Sequence, residues 1–179
     1  MLVQQMSHRL HQQTSFEDAI RVILNDAIGL HGAEFGSVQL NAGDHLVIAA
    51  QRGFKPAYLE LFQKVTASDG CACGRALRTR RTVVVTDTEA DEQFAPYRAA
   101  ARALGFRSVM TTPLLTEQGL LVGAVSTHFV NVHKPTAIEM ETLKSYSRLA
   151  ADHLYGVLDG DSIASKARSM SRRLSDEVT

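Results

Sequence analysis

The sequence has no excess of positive charge. Lys and Arg together number 19, Asp and Glu together also number 19, and the formal net charge is zero. A dedicated nucleic-acid-binding protein normally carries a basic excess, because neutralising phosphates supplies most of its affinity. The composition therefore argues against nucleic acid as a partner. The tail from Lys166 to Arg173 is locally basic.

Long apolar runs are missing as well. The longest, residues 119–125, falls far short of the roughly 20 residues that a membrane span needs. No N-terminal segment pairs a basic start with an apolar stretch, as a signal peptide does. We therefore expect no membrane contact and a cytoplasmic location. With 45% hydrophobic residues, the 179-residue chain can still form one domain with a sizeable core.

Cysteine is scarce, and the two that occur, Cys71 and Cys73, are separated by one residue. That spacing rarely permits a disulfide. A zinc or iron site normally needs three or four protein ligands, and no second pair completes this one. We therefore expect no metal and no required cofactor. Cys73 is predicted to be a small buried residue at a helix N-terminus. A redox-sensing thiol is the alternative, because a helix N-terminus can lower the pKa of a thiol.

Hydrophobic periodicity predicts an α+β fold. We predict helices at residues 15–31, 55–62, 75–79, 91–104, 136–157 and 162–175. Strands are predicted at residues 33–40, 45–52, 82–86, 107–115 and 120–129. The first long helix is expected to begin with a capping box formed by Thr14 and Glu17. The helices at the two ends of the chain are expected to cover one face of the sheet. The short connecting segments then cover the other face and leave room for a cavity.

The predicted domain organisation has three parts. Residues 1–14 form a helical extension, residues 15–158 the domain, and residues 159–179 a helical or disordered tail. In the extension, Leu2, Met6 and Leu10 form a thin apolar stripe. Such a stripe is typical of a helix that packs on a partner.

Several motifs resemble bacterial GAF sensor domains, of the kind found beside histidine kinases and response regulators. They are Gln51-Arg-Gly-Phe54, Cys73-Gly-Arg-Ala76, Val83-Val-Val-x-Asp87 and Ser126-Thr-His-Phe129. The resemblance covers residues 16–157. It implies a central antiparallel sheet of five or six strands, with the terminal helices on one face and a ligand pocket on the other. The partners that it implies are an unknown small molecule, a second copy of the chain, and a histidine kinase or response regulator.

Polar side chains in two buried strands are the candidate ligand-binding groups. Ser126 and His128 share one face of their strand, and Met110 and Thr112 share a face of the neighbouring strand. Buried polar groups need partners, so they either line a ligand cavity or bond to one another and hold the crossover segments. The candidate ligand-binding residues are Cys73, Phe94, Tyr97, Met110, Thr112, Ser126 and His128.

Catalysis is not expected. Free methionine-R-sulfoxide reductase, an enzyme of the GAF fold, has a pair similar to Cys73-Gly74 and needs a further cysteine after the third strand. Residues 86–100 contain no cysteine, so the nucleophile is missing. The favoured function is small-ligand sensing with signalling through a helical dimer interface. The alternatives are a dimerisation module that binds no ligand and a redox-active thiol protein. The sequence leaves the identity of the ligand open.

Overall fold

A computed structural model describes residues 1–177 of the chain. The helices are α1 (Leu2–His11), α2 (Phe16–His31), α3 (Pro56–Phe62), α4 (Ala72–Thr79), α5 (Arg98–Leu104), α6 (Ala137–Gly156) and α7 (Ile163–Asp176). The strands are β1 (Phe35–Asn41), β2 (His45–Arg52), β3 (Val65–Thr66), β4 (Val83–Val85), β5 (Ser108–Leu115) and β6 (Leu121–Phe129).

The strands form one six-stranded sheet in the order β3-β2-β1-β6-β5-β4. Every neighbouring pair is antiparallel. Two hairpins, β1–β2 and β5–β6, meet at the centre, where Phe35 pairs with His128 and Leu40 with Gly123. The α+β class and the antiparallel sheet are therefore confirmed. The two-residue strand β3 was not predicted, because a segment this short carries no readable alternation.

Four helices, α1, α2, α6 and α7, cover one face of the sheet, and we call them the helix layer. They share a single apolar core with β1, β2, β5 and β6. Met6 and Leu10 of α1 are 1% and 0% exposed in this core. The prediction that their stripe packs on a partner is therefore wrong, since α2 and α6 of the same chain bury it. Helix α7 also packs on the sheet and buries Ala167 and Met170.

The ends of the long helices follow local capping rules. Helix α2 begins after Ser15, whose side chain accepts a hydrogen bond from the Asp18 backbone N–H at 3.1 Å. The predicted capping box at Thr14 is therefore wrong by one residue. The capping box that Thr136 and Glu139 form at the start of α6 is present in full, and each such cap stabilises a helix by about 1 kcal/mol.

The other face of the sheet is covered by short elements, which we call the connector layer (residues 53–82 and 86–107). It contains α3, α4, a 3₁₀ turn at Ala95–Tyr97 and α5, while β3 between α3 and α4 belongs to the sheet. The helix predicted at residues 91–104 is only half correct. Asp91 accepts a hydrogen bond from the Phe94 backbone N–H at 3.0 Å, which forms a turn. Pro96 follows and cannot donate to a helical ladder, so α5 starts at Arg98.

No helix within residues 1–177 is long and apolar enough to cross a membrane.

Candidate functional site

A group of buried polar side chains lies between the sheet and the connector layer. Strand alternation turns these side chains of β1, β5 and β6 to the same face, and α4 adds a thiol. The group, which we call the polar cluster, consists of Ser37, Gln39, Cys73, Thr111, Ser126 and His128. All six are at most 5% exposed.

Strand register brings three members of the cluster together. Thr111 of β5 lies directly opposite Ser126 of β6, and their hydroxyl oxygens are 2.8 Å apart. The Cys73 sulfur lies 3.3 Å from the Ser126 oxygen and 3.6 Å from the Thr111 oxygen. On β1, the Ser37 hydroxyl lies 3.0 Å from the hydroxyl of Tyr58 in α3. The strands and the connector layer are therefore joined by side-chain hydrogen bonds.

Two members of the cluster have buried polar atoms without a partner. Both Nε2 and Oε1 of Gln39 and Nδ1 of His128 make no hydrogen bond within the described part of the chain. The Gln39 amide is near enough to the Cys73 thiol to influence its pKa, yet it forms no hydrogen bond of acceptable geometry. Buried polar groups are nearly always paired in folded proteins. Of the two residues, His128 lines the cavity described below, and Gln39 lies behind it, near Cys73.

Aromatic rings surround the His128 imidazole. Phe54, Phe106 and Tyr58 meet it edge-on, with ring centroids 4.8, 4.7 and 5.7 Å away. Burial among these rings lowers the pKa of His128 to about 3. The imidazole is therefore neutral near pH 7, with one nitrogen able to donate and the other able to accept a hydrogen bond.

Burial acts on the two thiols in the opposite direction. It raises the pKa of Cys71 to about 12, and it also raises the pKa of Cys73. Cys73 is buried near the start of α4, as predicted. The alternative of a redox-sensing thiol, which rests on a lowered pKa, gains no support from this direction. Both thiols stay protonated near pH 7, whereas a reactive cysteine needs the thiolate.

The cavity beside the cluster is small. It has a volume of about 10 Å³ and is lined by Cys73, Phe94 and His128 together with Tyr58, Phe62, Cys71, Ala72, Phe106 and Val109. That volume admits at most one water molecule. A ligand of any greater size would have to displace part of the connector layer.

Polar contacts at the rim hold the connector layer closed. The Tyr97 hydroxyl donates to the Asp69 carboxylate at 3.0 Å, and Arg75 pairs with Asp91 at 2.9 Å. Gly74 allows α4 to approach the preceding loop closely, because a Cβ at this position would lie 2.4 Å from the Asp69 carbonyl oxygen.

The structure brings together some of the predicted site residues and separates others. Cys73, Phe94 and His128 line the cavity, and Ser126 contacts Cys73. Tyr97 lies at the rim and contacts Phe94, with ring centroids 5.6 Å apart.

Met110 and Thr112 lie on the opposite face of the sheet. Met110 belongs to the core of the helix layer, and Thr112 faces a groove beside α6. The expectation that Met110 and Thr112 line the cavity with Ser126 and His128 is corrected by the strand register: Thr111, not Thr112, pairs with Ser126.

Sequence reasoning missed Ser37, Gln39, Tyr58 and Thr111. A signal was present for two of them, since Ser37 and Gln39 alternate with the buried apolar residues Val38 and Leu40 along β1. Polar residues at alternate positions of a strand usually indicate a solvent-facing side. In this sheet the polar residues of β1 instead face the connector layer and are buried.

Within residues 1–177, no three His, Cys, Asp or Glu side chains are arranged to hold a metal ion.

Comparisons with solved structures reproduce the fold. A GAF domain of a Coxiella burnetii phosphoenolpyruvate-protein phosphotransferase superposes with a TM-score of 0.73 at 14% identity, covering 88% of this chain and 93% of that one. A domain of a putative two-component sensor histidine kinase from Sinorhizobium meliloti gives a TM-score of 0.64 at 15% identity, covering 79% and 91%. Free methionine-R-sulfoxide reductase from Neisseria meningitidis, solved with its substrate, gives 0.69 at 16% identity, covering 97% and 89%. These identities are low, so the likeness concerns the fold alone.

The sequence itself carries the family assignment. A search of curated proteins found no match. A family model described as GAF domain, however, matches residues 13–154, which includes α2, α6 up to its last turn and the whole sheet between them. The chain therefore belongs to the GAF domain family.

Proposed function

We propose that the chain is a non-catalytic sensory or regulatory module of the cytoplasm that binds a small ligand at the polar cluster. The observation that carries this proposal is the set of unpartnered buried atoms on Gln39 and His128. A ligand that supplied their missing hydrogen bonds would stabilise the state to which it binds. GAF domains are typically small-ligand modules, and the site lies beneath the connector layer.

The chemistry of the cluster favours a neutral ligand. The His128 imidazole is uncharged and the Cys73 thiol is protonated. The Gln39 amide both donates and accepts. The walls are aromatic, and flat rings stack well against such walls. We therefore expect a small, planar, uncharged molecule with at least one hydrogen-bond donor and one acceptor.

Signalling requires that the ligand favour one conformation over another. Because the cavity has a volume of only about 10 Å³, we expect binding to move the connector layer outward. We expect that movement to strain the strands of the sheet. Because the helix layer packs on the other face of the same strands, the strain reaches the helix layer as well. We propose that the helix layer carries the response to a second copy of the chain, with a histidine kinase or response regulator as the downstream partner.

Exposed apolar side chains on the helix layer support a homodimer. Leu2 of α1 and Tyr155 of α6 are 49% and 50% exposed, and Leu149 of α6 is 38% exposed. Size-exclusion chromatography with light scattering should give a dimer at micromolar concentration. Replacing both α6 residues, in Leu149→Glu/Tyr155→Glu, should give a monomer. A wild-type chain that is monomeric at that concentration would contradict the dimer.

Native mass spectrometry of the purified protein tests the ligand site. We expect wild-type protein to retain a small-molecule adduct that Gln39→Met loses. Because Gln39→Met removes an unsatisfied buried amide with little change in shape, the free variant should be at least as stable as wild type. Gln63→Met, at the exposed end of α3, is the surface control and should keep the adduct.

The second candidate function is a dimerisation module that binds no ligand, and the small volume of the cavity favours it. In that case no adduct appears in the wild-type protein. Gln39→Met is then destabilising, because the amide is paired inside the protein in solution. That combination of results would replace the ligand-binding proposal.

A further inference from the structure

A second recess lies beside α6 at the β4 edge of the sheet. It is a groove of about 320 Å³ lined by the segment before β4, by β5 and by α6. This volume is at the lower end of the range of about 300–1,000 Å³ that small-molecule sites occupy. Apolar side chains line part of it, namely Pro113, Leu115 and Met140. The groove is therefore large enough for a small molecule, whereas the cavity at the polar cluster, at about 10 Å³, is not.

Positive charge is concentrated around this groove. Its lining includes the four cationic residues Arg80, Arg81, Lys144 and Arg148 and one acidic residue, Glu141. Four positive charges minus one negative charge leave a local excess of three. The whole chain has a formal net charge of zero, so this excess is a local feature. It attracts anions that carry more than one negative charge.

These cations are poorly neutralised by the protein itself. Arg81 and Arg148 form no ion pair with any residue of 1–177, and Lys144 reaches Glu141 only at 4.0 Å in an exposed pair. The Arg80 guanidinium donates to the Gly119 carbonyl oxygen at 2.8 Å, which orients it without cancelling its charge.

Two arginines of the segment between β4 and β5 show the opposite arrangement. Arg102 forms two hydrogen bonds of 2.7 Å with Glu89. Arg107 likewise forms two with Asp87, at 2.8 and 2.9 Å. In those pairs the positive charge is neutralised by a carboxylate of the same chain. The groove arginines Arg81 and Arg148 have no such carboxylate, so their donors are available to a ligand.

We propose that this groove binds a small organic phosphate monoester, with the phosphate among the cations and the organic group on the apolar lining. A phosphate monoester carries a charge of about −1.5 to −2 near pH 7, which suits the local excess. Arginine guanidinium groups bind phosphate with two parallel hydrogen bonds. The Thr82 hydroxyl donates to the Thr112 hydroxyl oxygen at 3.4 Å, which leaves the Thr112 O–H as a further donor. Thr112, predicted from the sequence to bind a ligand, thus gains a role on this face.

Titration calorimetry of the full chain at low ionic strength tests the proposal. The probes are phenyl phosphate, inorganic phosphate and phenol, which separate the whole ligand from its two parts. Phenyl phosphate should bind roughly tenfold more tightly than inorganic phosphate, and phenol should not bind. Arg81→Gln/Arg148→Gln removes charge-assisted hydrogen bonds and should weaken phenyl phosphate binding roughly tenfold or more.

A charge-matched control distinguishes a site from general attraction. Arg168→Gln/Arg172→Gln removes the same charge from exposed positions of α7 and should leave the affinity unchanged. Lys144→Gln is a second groove variant and should weaken binding severalfold. The proposal is overturned if phenyl phosphate gives no binding at millimolar concentration, or if it binds no more tightly than inorganic phosphate. An equal loss of affinity in the α7 control would also overturn it. None of these outcomes bears on the polar cluster, which lies on the other face of the sheet.

Discussion

The two faces of the sheet are built from the same strands but have different chemistry. Along β1, Val38 and Leu40 face the helix layer, while Ser37 and Gln39 face the connector layer. The covering elements differ as well. Helices α2 and α6 have 16 and 20 residues, whereas α3, α4 and α5 have 7, 8 and 7. One face therefore provides an apolar core under long helices, and the other places polar groups under short segments.

This contrast indicates a division of labour. A core of interlocking apolar side chains under long helices resists rearrangement, because it has few alternative packings. Unpartnered polar atoms oppose folding. Three of the six in residues 1–177 lie in the polar cluster, and the others lie singly on His31, His133 and Ser147; proteins retain such clusters mainly at functional sites. We therefore expect the helix layer to determine stability and the connector layer to be the part that moves.

The largest effect should come from removing a buried leucine on each face. Leu40 of β1 packs in the helix-layer core and Leu46 of β2 in the connector-layer core, and both are 0% exposed. Leu40→Ala should lower the free energy of unfolding by about 3–5 kcal/mol, and Leu46→Ala by about 2–3 kcal/mol, because the short connector segments collapse more readily into the space. Urea unfolding measures both. Equal losses of stability in the two variants, or a larger loss in Leu46→Ala, would contradict the proposed difference between the two faces.

Acid should act on the connector face through His128. Its pKa is about 3 in the folded protein and 6.5 in the reference state. The unfolded chain therefore binds one more proton between these values. The contribution of His128 to stability is complete above about pH 6.5 and decreases below it by ~1.4 kcal/mol per pH unit.

Between about pH 6.5 and pH 4.5, the variant His128→Gln should lose roughly 2–3 kcal/mol less stability than wild type. Urea unfolding at a series of pH values measures this slope. An identical slope in the two proteins would show that His128 is not buried in its neutral form in solution.

The smallest effect should be the coupling between the sheet and α3. Tyr58→Phe leaves the Ser37 hydroxyl without its partner at 3.0 Å, and should cost about 1–2 kcal/mol of stability. Combining it with Ser37→Ala should cost less than the sum of the single changes, by about 1 kcal/mol. Tyr146→Phe, which acts on Asp26 in the helix layer, is the control and should add to Ser37→Ala without coupling. If the stability losses of Tyr58→Phe and Ser37→Ala simply add in the double variant, the hydrogen bond does not couple the sheet to α3.

Much of the fold could be predicted from the sequence, because local signals agree with tertiary packing there. The two hairpins, α2 with its stop at Gly32, and the start of α6 at Thr136 all follow from alternation, capping residues and a left-handed glycine. The antiparallel sheet follows from the hairpins.

The failures occurred where long-range geometry decides. The burial of Met6 and Leu10 depends on α6 lying beside α1, which no local pattern encodes. The assignment of Met110 and Thr112 to the wrong face has a similar origin. Both faces of β5 are buried, so alternation cannot show which residues face which layer. The pairing of Thr111 with Ser126 shows which residues of β5 face the connector layer, and that register exists only in the assembled sheet.

The central pairing of β1 with β6 has a consequence for how the protein folds. Each hairpin joins neighbouring segments, but this pairing brings together positions 35 and 128. Closing so large a loop is entropically slow compared with forming a local turn. All of α3, α4 and α5 lie within the loop. The two hairpins should therefore form early, and the segments above the polar cluster should become ordered only after the two halves of the sheet have met.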